Sequence, residues 1–246
     1  MDENAHVTYY TLVPETGTGI HTVGRQVVAE DLGVPIQDVS AVQMNTDGAQ
    51  DDSGSGSGSS VGGTHAALGA AQGVRRELTL MAAEFYGWPE ERIIFQGGRV
   101  FVEGDPQQGV PLQELAAKVV AATGKPIDFA MTTQAEEPDV TCFCAQVAEV
   151  EVDPETGEIK LTKFITAHDV GTIHNPLTHQ GQIEGAVVQG LGYALMEELL
   201  SEEGQISTLS MGDVKTPTMR DIPELITVLV EAPGGNGPFG AKTIGE

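Results

Sequence analysis

The stretch CFCAQVAEVEVDPETGEIKLTKFITAHDVG, residues 142–171, decides the fold class. Apolar and polar residues alternate through AQVAEVEV and again through IKLTKFI, the period-2 pattern of half-buried strands. Between the two runs, Asp153-Pro154-Glu155-Thr156-Gly157 supplies the residue types that turn a chain in a small space. The segment reads as a β-hairpin, so its strands pair antiparallel. Its first residues carry both cysteines of the chain, Cys142 and Cys144. They are read as reduced core or strand thiols on opposite faces, too few for an iron–sulfur cluster.

Downstream, NPLTHQGQIEGAVVQGLGYALMEELL (175–200) is expected to form one long helix that starts just after Asn175-Pro176. ELITVLVEA (224–232) follows as a strand, and PGGNGPFGAKTIGE (233–246) as a closing loop. Upstream, VTYYTLV (7–13) is a strand, and TGTG turns it into a helix from Ile20 to Leu32 that Gly33 stops. VSAVQMNTD is a second strand. THAALGAAQGVRRELTLMAAEFYG is a strong helix with Thr64 as candidate N-cap. RIIFQGGRVFVEG is a hairpin turning at Gly97-Gly98, and PLQELAAKVVAATG a helix between Pro111 and Gly124. Hairpins mixed with helices give an α+β class with mixed and antiparallel sheets, not a doubly wound parallel sheet. A soft boundary falls in residues 132–140.

Apolar residues make up 40% of the 246, enough for a core, while 36 acidic against 12 basic side chains leave a net charge of −24. Such a surface repels phosphate backbones and anionic membranes, which excludes nucleic acid as a general partner. No apolar run reaches the length of a transmembrane helix, and MDENAHVTYY is not a secretory signal, so a cytoplasmic location is the default expectation.

Glycine-rich turns are the candidate ligand contacts, since glycine lets the backbone approach a ligand closely. The run Ser55, Gly56, Ser57, Gly58, Ser59 and Ser60 precedes a helix, where hydroxyls and backbone N–H groups can hold an anion. By composition alone it is a flexible linker. It is no Walker loop, because no G-K-[ST] follows. Gln182 and Gln189 share an apolar, glycine-lined helix face, where amides could satisfy a heterocyclic ligand. His168, His174 and His179 straddle a Pro-containing turn and read as ordinary hydrogen-bonding histidines, with no dedicated metal site.

Four of these segments, in order, resemble the catalytic subunit of the xanthine dehydrogenase/aldehyde oxidase family of molybdenum hydroxylases. TGTGIHTVGRQVVAEDLGVP is similar to that family's G-Q-G-x-x-T turn and helix. GSGSGSSVGGTHAALGA is similar to its Ser/Gly-rich pterin loop. HDVGTIHNPLTHQGQIEGAVVQGLGYALMEE is similar to its Asp-x-Gly, Asn-Pro and G-Q-I-x-G-x-x-x-Q-G pattern. GAKTIGE is similar to its closing G-A-K-G-x-G-E. Thr18 stands where glutamine is commonest, and Thr243 where glycine is.

The resemblance implies a molybdenum–molybdopterin cofactor whose metal is held through the pterin dithiolene, with no side-chain ligand. It implies Glu246 as the catalytic base, taking a proton from the oxygen nucleophile that attacks an electron-poor carbon. Gly17, Thr18 and Gly19 would approach the dithiolene end, Ser55 to Ser60 would hold the pterin and its phosphate, and Gln182 and Gln189 would bond the cofactor. Two lobes are expected, 1–135 with the cofactor loop and 140–246 with the glutamine helix and closing loop. The chain is expected to be a fragment or one part of a split subunit, inactive alone. The N-terminal half of the catalytic subunit and iron–sulfur (2Fe-2S) and flavin (FAD) domains or subunits would be its partners. The alternative is a cofactor-free structural or interaction lobe of the same fold. Purine, nicotinate-like heterocycle and aldehyde substrates all stay open, as does a cytosine dinucleotide form of the pterin.

Overall fold

A computed structural model describes residues 1–45, 58–132, 140–232 and 234–244. The chain forms two compact units, Met1–Pro138 with Asn236–Phe239, and Asp139–Gly235 with Gly240–Glu246.

In the first unit β1 (Val7–Thr11) leads through a glycine turn into α1 (Ile20–Leu32), then to β2 (Val39–Gln43). β1 and β2 pair parallel, Val7 opposite Val39, so the three elements make a crossover unit. The alternation pattern gave the strands but not their direction. Gly33 ends α1 at φ +66°. A Cβ there would sit 2.6 Å from the backbone carbonyl of Phe95, so glycine is required by both the turn and the close approach.

Helix α2 (Thr64–Tyr86) buries Ala67, Ala71, Val74, Leu78 and Ala82, a stripe at three- and four-residue spacing that faces the core. Thr64 is not its N-cap. Helical backbone already runs from Gly58 through a π-type turn at Ser59–Gly63, and the Thr64 hydroxyl donates back to the Val61 carbonyl at 3.5 Å. The side chain is fully buried, one turn inside the helix. β3 (Ile93–Gln96) and β4 (Arg99–Val102) form the expected hairpin, with Gly97 and Gly98 both at positive φ. A third strand, β5 (Asp105–Pro111), pairs with β4 and was not expected. It runs into α3 (Leu112–Thr123), closed by Gly124. Val27, Val28, Leu32, Leu78, Leu115 and Val119 lie in the shared core. Inside this unit His65 Nε2 donates to the carbonyl of Asn236.

In the second unit β6 (Cys144–Val152) and β7 (Ile159–Asp169) make the hairpin read from the opening stretch. β10 (Glu224–Val230) adds to the other side of β7 in parallel, giving the order β10-β7-β6. Helix α4 (Pro176–Leu191) packs on β10. Asn175 caps it, its Oδ1 accepting the Thr178 N–H at 3.3 Å. The helix is shorter than expected. A π-type turn, Gly192–Met196, follows it, and Glu197 is extended. A two-residue ladder, β8 (Ser201–Glu202) with β9 (Gln205–Ile206), and a short α5 (Met211–Val214) complete the connection to β10.

Cys142 and Cys144 are free and exposed, not core residues. The opposite-face expectation fails as well. Residues two apart in an extended chain point the same way, and both thiols border one cavity.

Candidate functional site

The second unit contains a cavity of about 820 Å³ between one face of the β6–β7 hairpin and helix α4. That is within the usual size of small-molecule and cofactor sites. A β-bulge builds its apolar wall. Glu149 pairs with Lys163 and Val150 with Leu161, so Thr162 is an extra residue on β7. Its hydroxyl bonds back to the Glu149 carbonyl at 3.0 Å. The extra residue switches the parity of the strand. Ile159 and Leu161 before it, and Phe164 and His168 after it, therefore all border the same cavity. On the facing helix, Gln182, Ile183, Ala186, Val187 and Gly190 complete the wall.

Polar groups gather at the C-terminal end of β7. Gln146 Nε2 donates to Thr166 Oγ1 at 3.4 Å, and His168 Nε2 lies 2.8 Å from the same hydroxyl. Burial pushes the His168 imidazole below its ordinary pKa, which favours the neutral ring. Beside it, Asp169 Oδ2 accepts from Lys242 Nζ at 2.6 Å. That hydrogen bond holds the Asp169 carboxyl below the usual carboxylate range, against a smaller opposing effect of burial.

Lys242 belongs to the closing loop, which docks on the turn after β7. The Lys242 N–H donates to Val170 O at 3.0 Å, the Thr172 N–H to Gly240 O at 3.1 Å, and Gly171 bridges Ala241. Thr243 and Ile244 then border the cavity. Thr243 Oγ1 is 3.5 Å from Cys142 Sγ. Glu246, the expected base, lies outside the described residues.

The other expected residues fall as follows. Gln182 borders the cavity and Gln189 does not. Gln189 Nε2 donates to Tyr193 Oη at 3.2 Å, one turn further along the chain. Ser55, Gly56 and Ser57 lie outside the described residues; Gly58, Ser59 and Ser60 belong to the helical backbone that leads into α2. Gly17 and Gly19 both take positive φ on either side of Thr18. Their N–H groups are used within the turn: Glu15 Oε1 accepts from Gly17 at 3.0 Å and from Gly19 at 2.9 Å, while Oε2 accepts from His21. Burial raises the Glu15 pKa, but these three backbone donors outweigh it and the net shift is downward. Among the described residues, no three His, Cys, Asp or Glu side chains are grouped to hold a metal ion.

Sequence reading missed Glu15 and the Asp169–Lys242 pair. An acid just before a glycine turn and helix start was a readable signal for the first. The second joins residues 73 apart in sequence and had no local signal.

The chain matches the family described as molybdopterin cofactor-binding domain over residues 1–223. It is 33% identical, over 98% of its length, to the 6-hydroxypseudooxynicotine dehydrogenase complex subunit gamma of Paenarthrobacter nicotinovorans, of which it covers 31%. It is 29% identical to the aldehyde oxidoreductase molybdenum-binding subunit PaoC of Escherichia coli K12, over the whole chain and 33% of that protein. Its structure matches quinoline 2-oxidoreductase from Pseudomonas putida 86 with a TM-score of 0.86 at 30% identity, covering 99% of this chain and 32% of that one. The chain thus spans about a third of the length of the curated relatives it matches.

The chain belongs to the molybdopterin cofactor-binding domain family.

Proposed function

We propose that this member of the molybdopterin cofactor-binding domain family is the cofactor-holding part of an oxidoreductase. The reaction is hydroxylation of an electron-poor carbon in an aldehyde or N-heterocycle, with oxygen drawn from water. One observation carries the reading. The cavity is apolar over most of its wall, with a few polar side chains set into it, among them Gln146, His168, Gln182 and Thr243. Such a site shields reacting groups from water and leaves a few polar atoms to orient them.

The residues fit a pterin best at α4. The Gln182 amide offers donors and an acceptor to a heterocycle, and further along the same helix a Cβ built at Gly190, also in the cavity wall, would meet nothing within 4 Å. The fit is weaker at Gly17–Gly19, where Glu15 accepts the Gly17 and Gly19 N–H groups. When bound, the molybdenum–pterin group supplies a two-electron acceptor and an oxygen nucleophile. In this proposal Gln182, Gln189 and Ser55–Ser60 hold and orient it. The carboxylate of Glu246 accepts the proton that the nucleophile loses, and a poorly solvated carboxylate is the stronger base.

The proposal takes the N-terminal half of the catalytic subunit and iron–sulfur and flavin domains or subunits as partners. The relatives are themselves described as subunits. A second reading, a structural lobe without cofactor, is favoured by the Glu15 carboxylate occupying the Gly17–Gly19 turn.

Glu246→Gln in the cofactor-loaded catalytic unit tests the proposal. Turnover is expected to fall by roughly 10²–10⁴-fold, the usual contribution of a general base, with molybdenum content unchanged. Turnover within about threefold of wild type would remove the base role.

A further inference from the structure

Most ion pairs on a protein surface contribute little, because water and salt screen them and side-chain entropy opposes them. The Asp169–Lys242 pair is not of that kind. Its side chains are only 15% and 12% exposed, and the contact is 2.6 Å. The second carboxylate oxygen, Oδ1, accepts the Gly171 N–H at 3.3 Å, so both oxygens are engaged. The pair closes a dock whose backbone halves are already joined, Lys242 to Val170 and Thr172 to Gly240. The approach is too close for any side chain: a Cβ on Gly171 would stand 2.3 Å from Gly240 O. One on Gly235 would stand 1.8 Å from Ala241 O. The residues just beyond Lys242, Thr243 and Ile244, border the cavity.

We infer that Asp169 and Lys242 form a latch that positions the closing loop at the polar end of the cavity. They act on the reaction as positioning residues for Glu246, a step that rests on the proposed role of that glutamate. Lys242 lies four positions before Glu246, so the latch fixes the near end of a short tether. Misplacing a reacting group by about 1 Å can lower a rate on the order of 10²-fold.

The first measurement needs no cofactor. Amide hydrogen exchange is followed on the 246-residue chain for wild type, Lys242→Met and Lys242→Arg. Lys242→Met is expected to speed exchange in residues 234–244 by about tenfold or more, while α4 and β10 keep their wild-type rates. Lys242→Arg, which keeps the charge, is expected to stay near wild type. Unchanged exchange in Lys242→Met overturns the latch. An equal rise in α4 and β10 also overturns it, because the pair would then hold the whole unit. The second measurement uses the cofactor-loaded catalytic unit. Lys242→Met is expected to lower kcat roughly 10–10²-fold with KM unchanged, and to add no loss in a Glu246→Gln background. Independent, multiplying losses would overturn the positioning role. If Glu246→Gln keeps its turnover while the exchange result stands, the base assignment fails and the latch survives.

Discussion

Thr162 takes one extra place in β7 and so changes the side that every later residue of the strand faces. The signal was in the sequence. Alternation runs cleanly through Ile159 and Leu161, slips at Thr162-Lys163, and resumes one position later at Phe164. Period 2 alone marks the strand and not the slip. His168 reaches the cavity only through that slip. It faces the Thr166 hydroxyl, stands opposite Cys144 on β6, and adjoins Asp169, whose carboxylate Lys242 holds. Burial lowers the imidazole from its ordinary value of 6.5, so the fold binds fewer protons there than the unfolded chain just below that pH. The neutral ring's contribution is complete above about pH 6.5 and is lost as pH falls through the lowered value. The Asp169 carboxyl, itself lowered, titrates beneath this window. Urea midpoints between about pH 7.5 and 5 are expected to fall less steeply for His168→Gln than for wild type. Parallel slopes would assign the dependence to other groups.

At the scale of elements, local chemistry predicted ends and failed on partners. Asn175-Pro176 marked the start of α4, and the structure shows the cap in place. Asn175→Ala is expected to cost about 1 kcal/mol, read as a shift in denaturation midpoint with unchanged m-value. Gly33 and Gly124 likewise stop α1 and α3 where the sequence puts them. The parallel direction of β1 and β2 was not legible, because alternation marks a strand and says nothing of its neighbour. β5 was missed because DPQQGVP carries two prolines and a glycine, which read as loop. Thr64 was a reasonable cap by type. Helical backbone starting at Gly58 overrode it, and glycine-rich sequence gave no sign of helix there. Gln189 shows the same limit for the site. Its spacing from Gln182 was right, yet its amide is taken by Tyr193 four residues on.

At the scale of the molecule, the order of the motifs was legible where the geometry was not. The family follows from segments in sequence order, which survive without knowledge of packing. The cavity does not, since it needs the bulge, α4 and the closing loop brought together from residues 142 to 244. Among the described residues no helix is long and apolar enough to cross a membrane. On the hairpin of the second unit Val150, Val152 and Ile159, which border the cavity, and Val147, on the opposite face of β6, are all exposed. That exposure agrees with a chain spanning about a third of its relatives' length. The central claim is that this chain holds a molybdenum–pterin cofactor. The most direct test is molybdenum by elemental analysis and pterin by fluorescence after oxidation. Both would be measured on the chain purified from cells that make the cofactor, with Gln182→Ala alongside. Both are expected in matched amounts, lowered in the variant. Neither metal nor pterin above background, with the chain folded, would contradict it.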